Sequence, residues 1–459
     1  MSERELLRRT TELAADFLES LDRRPVWPDA TVEELRDALG GPLQDGPLDP
    51  VQVIEELADA AEPGVVGIPS GRYFGFVIGG ALPASLAADW LTSVWDQNAG
   101  LVVCGPSAAV VEEIAGEWLK DLLGIPPAAS FAFVTGCQMA HVTGLAAARH
   151  AVLERAGWDV ERDGLSGAPA IRVFAGVKRH VTIDRALRLL GLGSEAAIRV
   201  DADGQGRMRA EALADAMRAA DGPSIVCAQM GEVNTGAIDP LPELADLCAD
   251  AGAWLHVDGA FGLWASASPS LGSLAVGVER ADSWATDAHK WLNVPYDCGL
   301  AFVANQDAHR AAMRLVAEYL VVDEKEARDA MDWTPEFSRR ARGFAVYAAL
   351  RSLGRSGVAE LVDRCCRHAR TFAEQLSALP GCVILNDVVL NQVLLRFEDD
   401  ETTNAVLASV QASGEAWMSG TTWDGRAAIR ISVSNWRTSD DDVARTLAAF
   451  EHAVAAAAV

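Results

Sequence analysis

The chain has 459 residues, of which 50% are hydrophobic and 23% charged, a composition typical of a globular protein with one large and one smaller domain. The formal net charge of −26 disfavours nucleic acid and anionic membranes as partners. The eight cysteines include no C-x-x-C pair, and the charged N-terminal segment lacks an apolar signal core. We therefore expect a cytoplasmic protein without disulfides, a metal site or a membrane span.

The predicted elements fall into three regions. Residues 1–65 alternate helical patterns with polar breaks, which indicates an N-terminal helical arm. Residues 66–335 are predicted to form a large α/β domain with a mainly parallel sheet, because uninterrupted apolar runs alternate there with helical stretches. These runs lie at 131–134, 171–175, 197–200, 224–230, 254–258 and 300–304. Residues 336–459 are predicted to form a small α/β domain, from a helical pattern and short apolar runs at 338–354, 382–385, 391–397 and 428–434.

Two residues in the large domain indicate the chemistry. Lys290 lies in SWATDAHKWLNVPYDCG (283–299), and Asp258 ends the earlier apolar run WLHVD. A lysine amine can form a Schiff base with an aldehyde, and a buried carboxylate can keep a heterocyclic nitrogen protonated. A pyridoxal 5'-phosphate enzyme needs both groups. Taken alone, Lys290 would be interpreted as a surface lysine and Asp258 as a helix cap.

The segment around Lys290 resembles that of the group II pyridoxal-phosphate-dependent amino-acid decarboxylases, which carry Asp/Asn-x-His-Lys-Trp around the Schiff-base lysine. The resemblance extends from about residue 70 to about residue 440. It implies the aspartate aminotransferase-like architecture of fold-type-I pyridoxal-phosphate enzymes, and a homodimer with active sites at the subunit interface. It also implies that an L-amino acid is decarboxylated to its amine and carbon dioxide.

The resemblance also suggests residues that contact the cofactor. His180, in HVTIDRALRLLG, matches a histidine that stacks on the pyridine ring, so we predict a catalytic role for it beside Lys290 and Asp258. The family's usual Ser-Gly-Gly-Ser/Thr-Glu-Ala-Asn is replaced here by Thr-Gly-Cys-Gln-Met-Ala-His, yet backbone amides at this helix start can still bind phosphate. The other expected cofactor contacts are Gly136, Cys137, Gln138, Asn234, Ala260, Asp287 and His289.

The segment YFGFVIGGALPA (73–84) resembles the one that lines the substrate side-chain pocket in the family. Its residues Phe76, Val77 and Ile78 are apolar, which favours an aromatic or bulky apolar amino acid as substrate. The competing interpretation is a buried core strand.

The main departure from the family lies between Tyr319 and Trp333. Group II decarboxylases commonly carry a tyrosine in this loop that returns a proton to Cα, but residues 320–332 contain none, and Ala330 is the closest match. Tyr319 is the remaining candidate. Three alternatives therefore stay open: oxidative decarboxylation-deamination to an aldehyde, an aminotransferase with Arg430 as its carboxylate-binding residue, and a catalytically silent scaffold.

Overall fold

The computed structural model describes residues 2–314 and 328–457. The strands in these ranges form one seven-stranded and one five-stranded sheet. They are β1 (Tyr73–Phe74), β2 (Ser130–Val134), β3 (Arg172–Gly176), β4 (Ala197–Val200), β5 (Ser224–Gln229), β6 (Trp254–Asp258), β7 (Ser283–Asp287), β8 (Gly299–Val303), β9 (Val383–Ile384), β10 (Gln392–Arg396), β11 (Trp417–Trp423) and β12 (Arg426–Ser432).

Helices cover both sheets. Within the described ranges they are α1 (Glu3–Ser20), α2 (Val32–Leu39), α3 (Pro50–Ala61), α4 (Pro83–Trp95), α5 (Pro106–Leu123), α6 (Cys137–Arg155), α7 (Val160–Asp163), α8 (Val181–Leu189), α9 (Ala210–Arg218), α10 (Leu241–Ala251), α11 (Gln306–Met313), α12 (Gly343–Leu376), α13 (Asp400–Ala412) and α14 (Asp440–Ala457). None of these helices combines the length and the apolar character needed to cross a bilayer.

The large sheet has the strand order β2-β8-β7-β6-β5-β3-β4. Strand β8 runs antiparallel to both of its neighbours, and the other pairs are parallel. The predicted α/β fold with a mainly parallel sheet is therefore confirmed. All six apolar runs of the large domain form strands, and all but the edge strand β4 are buried over most of their length. The sequence SWATD of β7 was missed, since its serine, threonine and aspartate conceal a fully buried strand.

The second sheet has the order β1-β11-β12-β10-β9. Strand β1, from the predicted large domain, pairs in parallel with β11, which brings the 73–84 segment beside the C-terminal sheet. The predicted helix at 338–354 begins only at Gly343 and continues past a break at Gly354. Residues 338–342 lie outside the helix because the buried Arg339 is paired with Glu112, with Nη1 2.8 Å from Oε2.

Candidate active site

A cavity of about 260 Å³ lies beyond the carboxyl ends of the parallel strands, the usual ligand position in α/β sheets. Asp258 ends β6, Asp287 ends β7, and Lys290 lies in the turn before β8. His180 is the N-cap of α8. The predicted site residues that line this cavity are Val77, Gly136, Cys137, Gln138, His180, Asp258, Ala260, Asp287, His289 and Lys290.

Three predicted site residues are absent from this lining, among the residues that the structure describes: Phe76, Ile78 and Asn234. Phe76 is 57% exposed and has a φ of 57°, and its ring stacks on Trp417 with centroids 5.8 Å apart. Asn234 is turned toward the C-terminal sheet, where its Oδ1 accepts a hydrogen bond from Thr421 Oγ1 at 3.0 Å. The 73–84 segment therefore faces the cavity through Val77.

Two further candidates also lie outside the cavity wall that the structure describes. Arg430 is buried, and its Nη1 donates to Asn234 Oδ1 at 3.4 Å. Ala330 is buried in a short 3-10 turn, Ala330–Asp332. Tyr319 lies outside the described residues.

The Lys290 amine is paired with an acid. Its Nζ lies 3.0 Å from Asp287 Oδ2. Burial is the largest single effect on the pKa of Lys290 and lowers it, but the charges of Asp287 and the other nearby acidic groups, together with the hydrogen bond to Asp287, raise the pKa overall. The neighbouring acidic groups therefore stabilise the ammonium form of Lys290. Asp287 is consequently the base within reach when the amine gives up its proton.

Asp287 also organises the start of α6. Its Oδ1 accepts the Cys137 N–H at 2.6 Å and lies 3.5 Å from His289 Nε2. The His289 Nδ1 accepts the Cys298 N–H at 3.2 Å, which leaves the proton on Nε2. Burial lowers the pKa of His289, so the ring is neutral near pH 7 and offers an N–H donor at the helix start.

Asp258 is only 5% exposed, yet it is ionised. Its Oδ1 accepts the Ala260 N–H at 3.2 Å, and His141 Nε2 lies 3.6 Å from Oδ2. Burial raises the pKa of this carboxyl, but the electrostatic effects of His141, His180 and Lys290 together lower it below the ordinary value. A buried carboxylate of this kind can hold a proton on a neighbouring ring nitrogen.

His180 is fixed by its own helix. Its Nδ1 lies 2.8 Å from Thr182 Oγ1 and accepts the Thr182 N–H at 3.4 Å, so the proton is on Nε2. Burial lowers the pKa of His180, which makes the imidazole neutral near pH 7. The cavity wall thus includes a flat, neutral imidazole whose Nε2–H has no hydrogen-bond partner within residues 2–314 and 328–457.

Glycines allow the close approach of backbone that shapes the cavity. A Cβ on Gly299 would lie 2.3 Å from the carbonyl carbon of Gly136, so only glycine lets β8 pass beneath the turn before α6. A Cβ on Gly79 would lie 1.9 Å from Lys290 O.

The buried Gln138 Oε1 has no hydrogen-bond partner among the described residues. A helix start for phosphate, an amine for an aldehyde and a carboxylate for a ring nitrogen together fit pyridoxal phosphate.

Cys137, His141 and Asp258 also bring three metal-ligating atoms within 4.8 Å of one another. Burial raises the pKa of the Cys137 thiol well above its usual range. A protonated thiol is a poor metal ligand. We therefore assign this cluster to hydrogen bonding around Asp258.

Several residues of the site were missed from the sequence. Gln229 ends β5 in register with Asp258, a position that a strand-end argument could have identified. His141 occupies the position of the family's usual asparagine, and His256 precedes Asp258 by two residues on the same strand face. Other unpredicted residues in the cavity lining are Thr182, Gly231, Val233 and Phe261.

The sequence matches the family model of the pyridoxal-dependent decarboxylase conserved domain over residues 33–398. The chain belongs to this family. It is therefore a pyridoxal-phosphate-dependent carboxy-lyase, and the predicted enzyme class and cofactor are confirmed.

Similar proteins cover nearly the whole chain. An aromatic-L-amino-acid decarboxylase of Bacillus atrophaeus is 28% identical over 96% of this chain and 93% of its own length. A phenylacetaldehyde synthase of Arabidopsis thaliana is 25% identical, over 94% of this chain and 91% of its own. The crystal structure of Oryza sativa TDC with PLP and tryptamine superposes with a TM-score of 0.92 at 23% identity, covering 99% of this chain and 97% of that one. This structural similarity supports the fold.

Proposed function

We propose that the protein decarboxylates an aromatic or bulky apolar L-amino acid to the corresponding amine and carbon dioxide. The observation that carries the proposal is the convergence of Lys290, Asp258 and His180 on one cavity. Much of the remaining wall is apolar and includes Val77 and Phe261. The similarity to an aromatic-L-amino-acid decarboxylase supports the same substrate class.

Each polar residue has a defined task in this reaction. Bound pyridoxal phosphate supplies an electron sink for the pair of electrons left on Cα when carbon dioxide departs. Lys290 carries the cofactor through its amine, and Asp287 accepts the proton that this amine releases. Asp258, ionised and shielded from water, keeps a proton on the ring nitrogen. His180 provides a flat face for the ring and an Nε2–H donor on the cavity wall.

The experiment is a substrate panel on the cofactor-saturated protein. The standard L-amino acids are incubated one at a time, and carbon dioxide, hydrogen peroxide and product mass are followed. We expect aromatic substrates to release carbon dioxide and amine in equal amounts, and Lys290→Ala to abolish both. Turnover restricted to small or charged amino acids would contradict the proposed substrate class, and undiminished turnover by Lys290→Ala would contradict the proposed site.

A second candidate is oxidative decarboxylation-deamination. It is favoured by the absence of tyrosine from residues 320–332 and by the similarity to a phenylacetaldehyde synthase. In this reaction the amino acid, dioxygen and water give the aldehyde, carbon dioxide, ammonia and hydrogen peroxide. Dioxygen takes the electron pair that would otherwise form the Cα–H bond. Hydrogen peroxide equal to the carbon dioxide would establish this alternative in the same panel, and amine without peroxide would exclude it.

We also propose that the protein acts as a cytoplasmic homodimer. Leu91, Val94 and Trp95 share one face of α4 and are 47%, 63% and 47% exposed, an apolar surface that a second copy would cover. All eight cysteines are free, which suits a reducing compartment. Leu91→Glu/Trp95→Glu should give a monomer by light scattering, whereas Val276→Glu, at an exposed position elsewhere, should remain dimeric. A monomeric wild-type protein would contradict the dimer.

A further inference from the structure

A line of buried polar side chains runs from the amino end of the large sheet to Asp258. Trp254 Nε1 donates to Ser283 Oγ at 2.8 Å, and Ser283 Oγ lies 2.8 Å from His256 Nδ1. His256 Nε2 lies 2.9 Å from His141 Nδ1. His141 Nε2 then lies 3.6 Å from Asp258 Oδ2 and 3.4 Å from Cys137 Sγ. The line therefore begins at an indole donor and ends at the cavity carboxylate.

A glycine in helix α6 leaves room for the His256 ring in this line. Gly144, one turn after His141, faces the His256 ring, and a Cβ there would lie 3.1 Å from His256 Cε1. Both histidines have no exposed surface, and their rings meet edge to face with centroids 5.2 Å apart. A residue larger than glycine at 144 would press on the His256 ring. The contact thus depends on a specific pair of helix positions.

The hydrogen bonds along this line are donated in one direction, from Ser283 toward Asp258. Burial lowers the pKa of both histidines, that of His256 to about 3, so each ring is neutral and carries one N–H. An ionised Asp258 favours the His141 tautomer with its proton on Nε2, because a bare nitrogen there would face a negative charge. His141 Nδ1 must then accept from His256 Nε2, and His256 Nδ1 from the Ser283 hydroxyl.

We propose that His141 and His256 are positioning residues that keep Asp258 anionic and oriented toward the cofactor. This inference rests on the proposed role of Asp258. Among the described residues, Asp258 accepts a hydrogen bond only from the Ala260 N–H, on Oδ1, and His141 Nε2 faces Oδ2 at 3.6 Å. His256 acts through His141, since its Nε2–H determines which nitrogen of His141 carries the proton.

The decisive experiment titrates the cofactor-free protein with pyridoxal 5'-phosphate and follows cofactor absorbance and tryptophan fluorescence. His256→Phe removes the N–H donor to His141, and we expect the dissociation constant to rise by at least about tenfold, as for loss of a hydrogen bond to a charged group. His256→Gln keeps an N–H donor and should recover most of the affinity. Affinity equal to wild type in His256→Phe would overturn the proposal.

His309 offers the matched control. It is buried, has a pKa lowered by burial to about 3, and pairs with Ser130, but its other nitrogen lies 2.8 Å from the Trp333 carbonyl oxygen. His309→Phe should therefore lose a similar amount of stability while its cofactor affinity stays within about threefold of wild type. Equal losses of affinity in His256→Phe and His309→Phe would mean that both histidines are merely structural, and would overturn the proposal.

A second readout reports the positions of the ring protons directly. With ¹⁵N-labelled histidine in the cofactor-free protein, His141 and His256 should both appear as neutral rings protonated on Nε2, assigned by comparison with His256→Gln. A His141 proton on Nδ1 would overturn the inference.

If Asp258→Asn and Lys290→Ala bind cofactor like wild type, the proposed function fails. If they lose binding but His256→Phe does not, only the positioning role fails.

Discussion

Two histidine–serine pairs lie against the same sheet, and only one leads to the cavity. Ser283 and Ser130 are both in register with Val303, from opposite sides of β8. Ser283 contacts His256 and Ser130 contacts His309, each at 2.8 Å from the Nδ1 atom. The two serine–histidine contacts therefore have nearly the same local geometry and burial.

The difference lies in what each histidine reaches with its Nε2 atom. His309 ends on a main-chain carbonyl, whereas His256 continues through His141 to Asp258. A buried neutral histidine is therefore not evidence of function by itself. Its functional meaning depends on the group at the end of its hydrogen-bonded chain.

The largest expected effect comes from removing that terminal group. Asp258→Asn retains the shape of the side chain but not the charge that holds a proton on the ring nitrogen. We expect kcat/KM to fall by at least about a hundredfold, as when a preorganised electrostatic contact is lost from an active site. Steady-state kinetics at saturating cofactor would test this. A fall of less than about threefold would mean that the line of buried side chains through His256 ends at no catalytic group.

Two glycines near the cavity, one at the start of β8 and one at the end of β3, differ in how closely other backbone approaches them. Gly299→Ala places a Cβ against Gly136, so we expect a loss of about 1–3 kcal/mol in unfolding free energy and weaker cofactor binding. Gly176→Ala is the control, because a Cβ there comes no closer than 4.0 Å to Met208. Urea unfolding and cofactor titration would measure both effects. Equal behaviour of the two variants would show that the turn before α6 does not depend on this close approach.

The pH dependence of stability should not distinguish the two pairs. Burial lowers the pKa of His256 and of His309 to about 3, while each titrates near 6.5 when unfolded. As pH falls from about 6.5 toward about 3, the unfolded chain gains protons that the folded chain does not. Each histidine then removes about 1.4 kcal/mol of stability per pH unit. His256→Phe and His309→Phe should each reduce this slope in urea unfolding of the cofactor-free protein. An unchanged slope would show that the histidine is protonated when folded.

The smallest effects are expected from the serines. Ser283→Ala and Ser130→Ala each leave a buried histidine nitrogen without its partner, at a cost of about 1 kcal/mol in unfolding free energy. Only Ser283→Ala should also weaken cofactor binding, by about threefold, because only His256 is coupled to Asp258. Thermal unfolding and cofactor titration would test both variants. A weakened cofactor affinity in Ser130→Ala would remove the contrast between the pairs.

Much of the fold was predictable because strands buried on both faces have continuous apolar sequences, as in WLHVD and LAFVA. Lys290 and Asp258 were recognisable because their chemistry and neighbours are unusual together. The strand SWATD was not, since burial by covering helices overrides its polar composition. The contact between His141 and His256 was also invisible, because 115 positions separate them and only the packing of α6 on β6 joins them.

The proposed function depends above all on attachment of the cofactor to Lys290. The most direct measurement is borohydride reduction of the cofactor-saturated protein, followed by peptide mapping by mass spectrometry. We expect a single reduced pyridoxyl phosphate adduct on Lys290, and none on that peptide without cofactor. An unmodified Lys290 in the saturated, reduced protein, or an adduct on a different lysine, would contradict it.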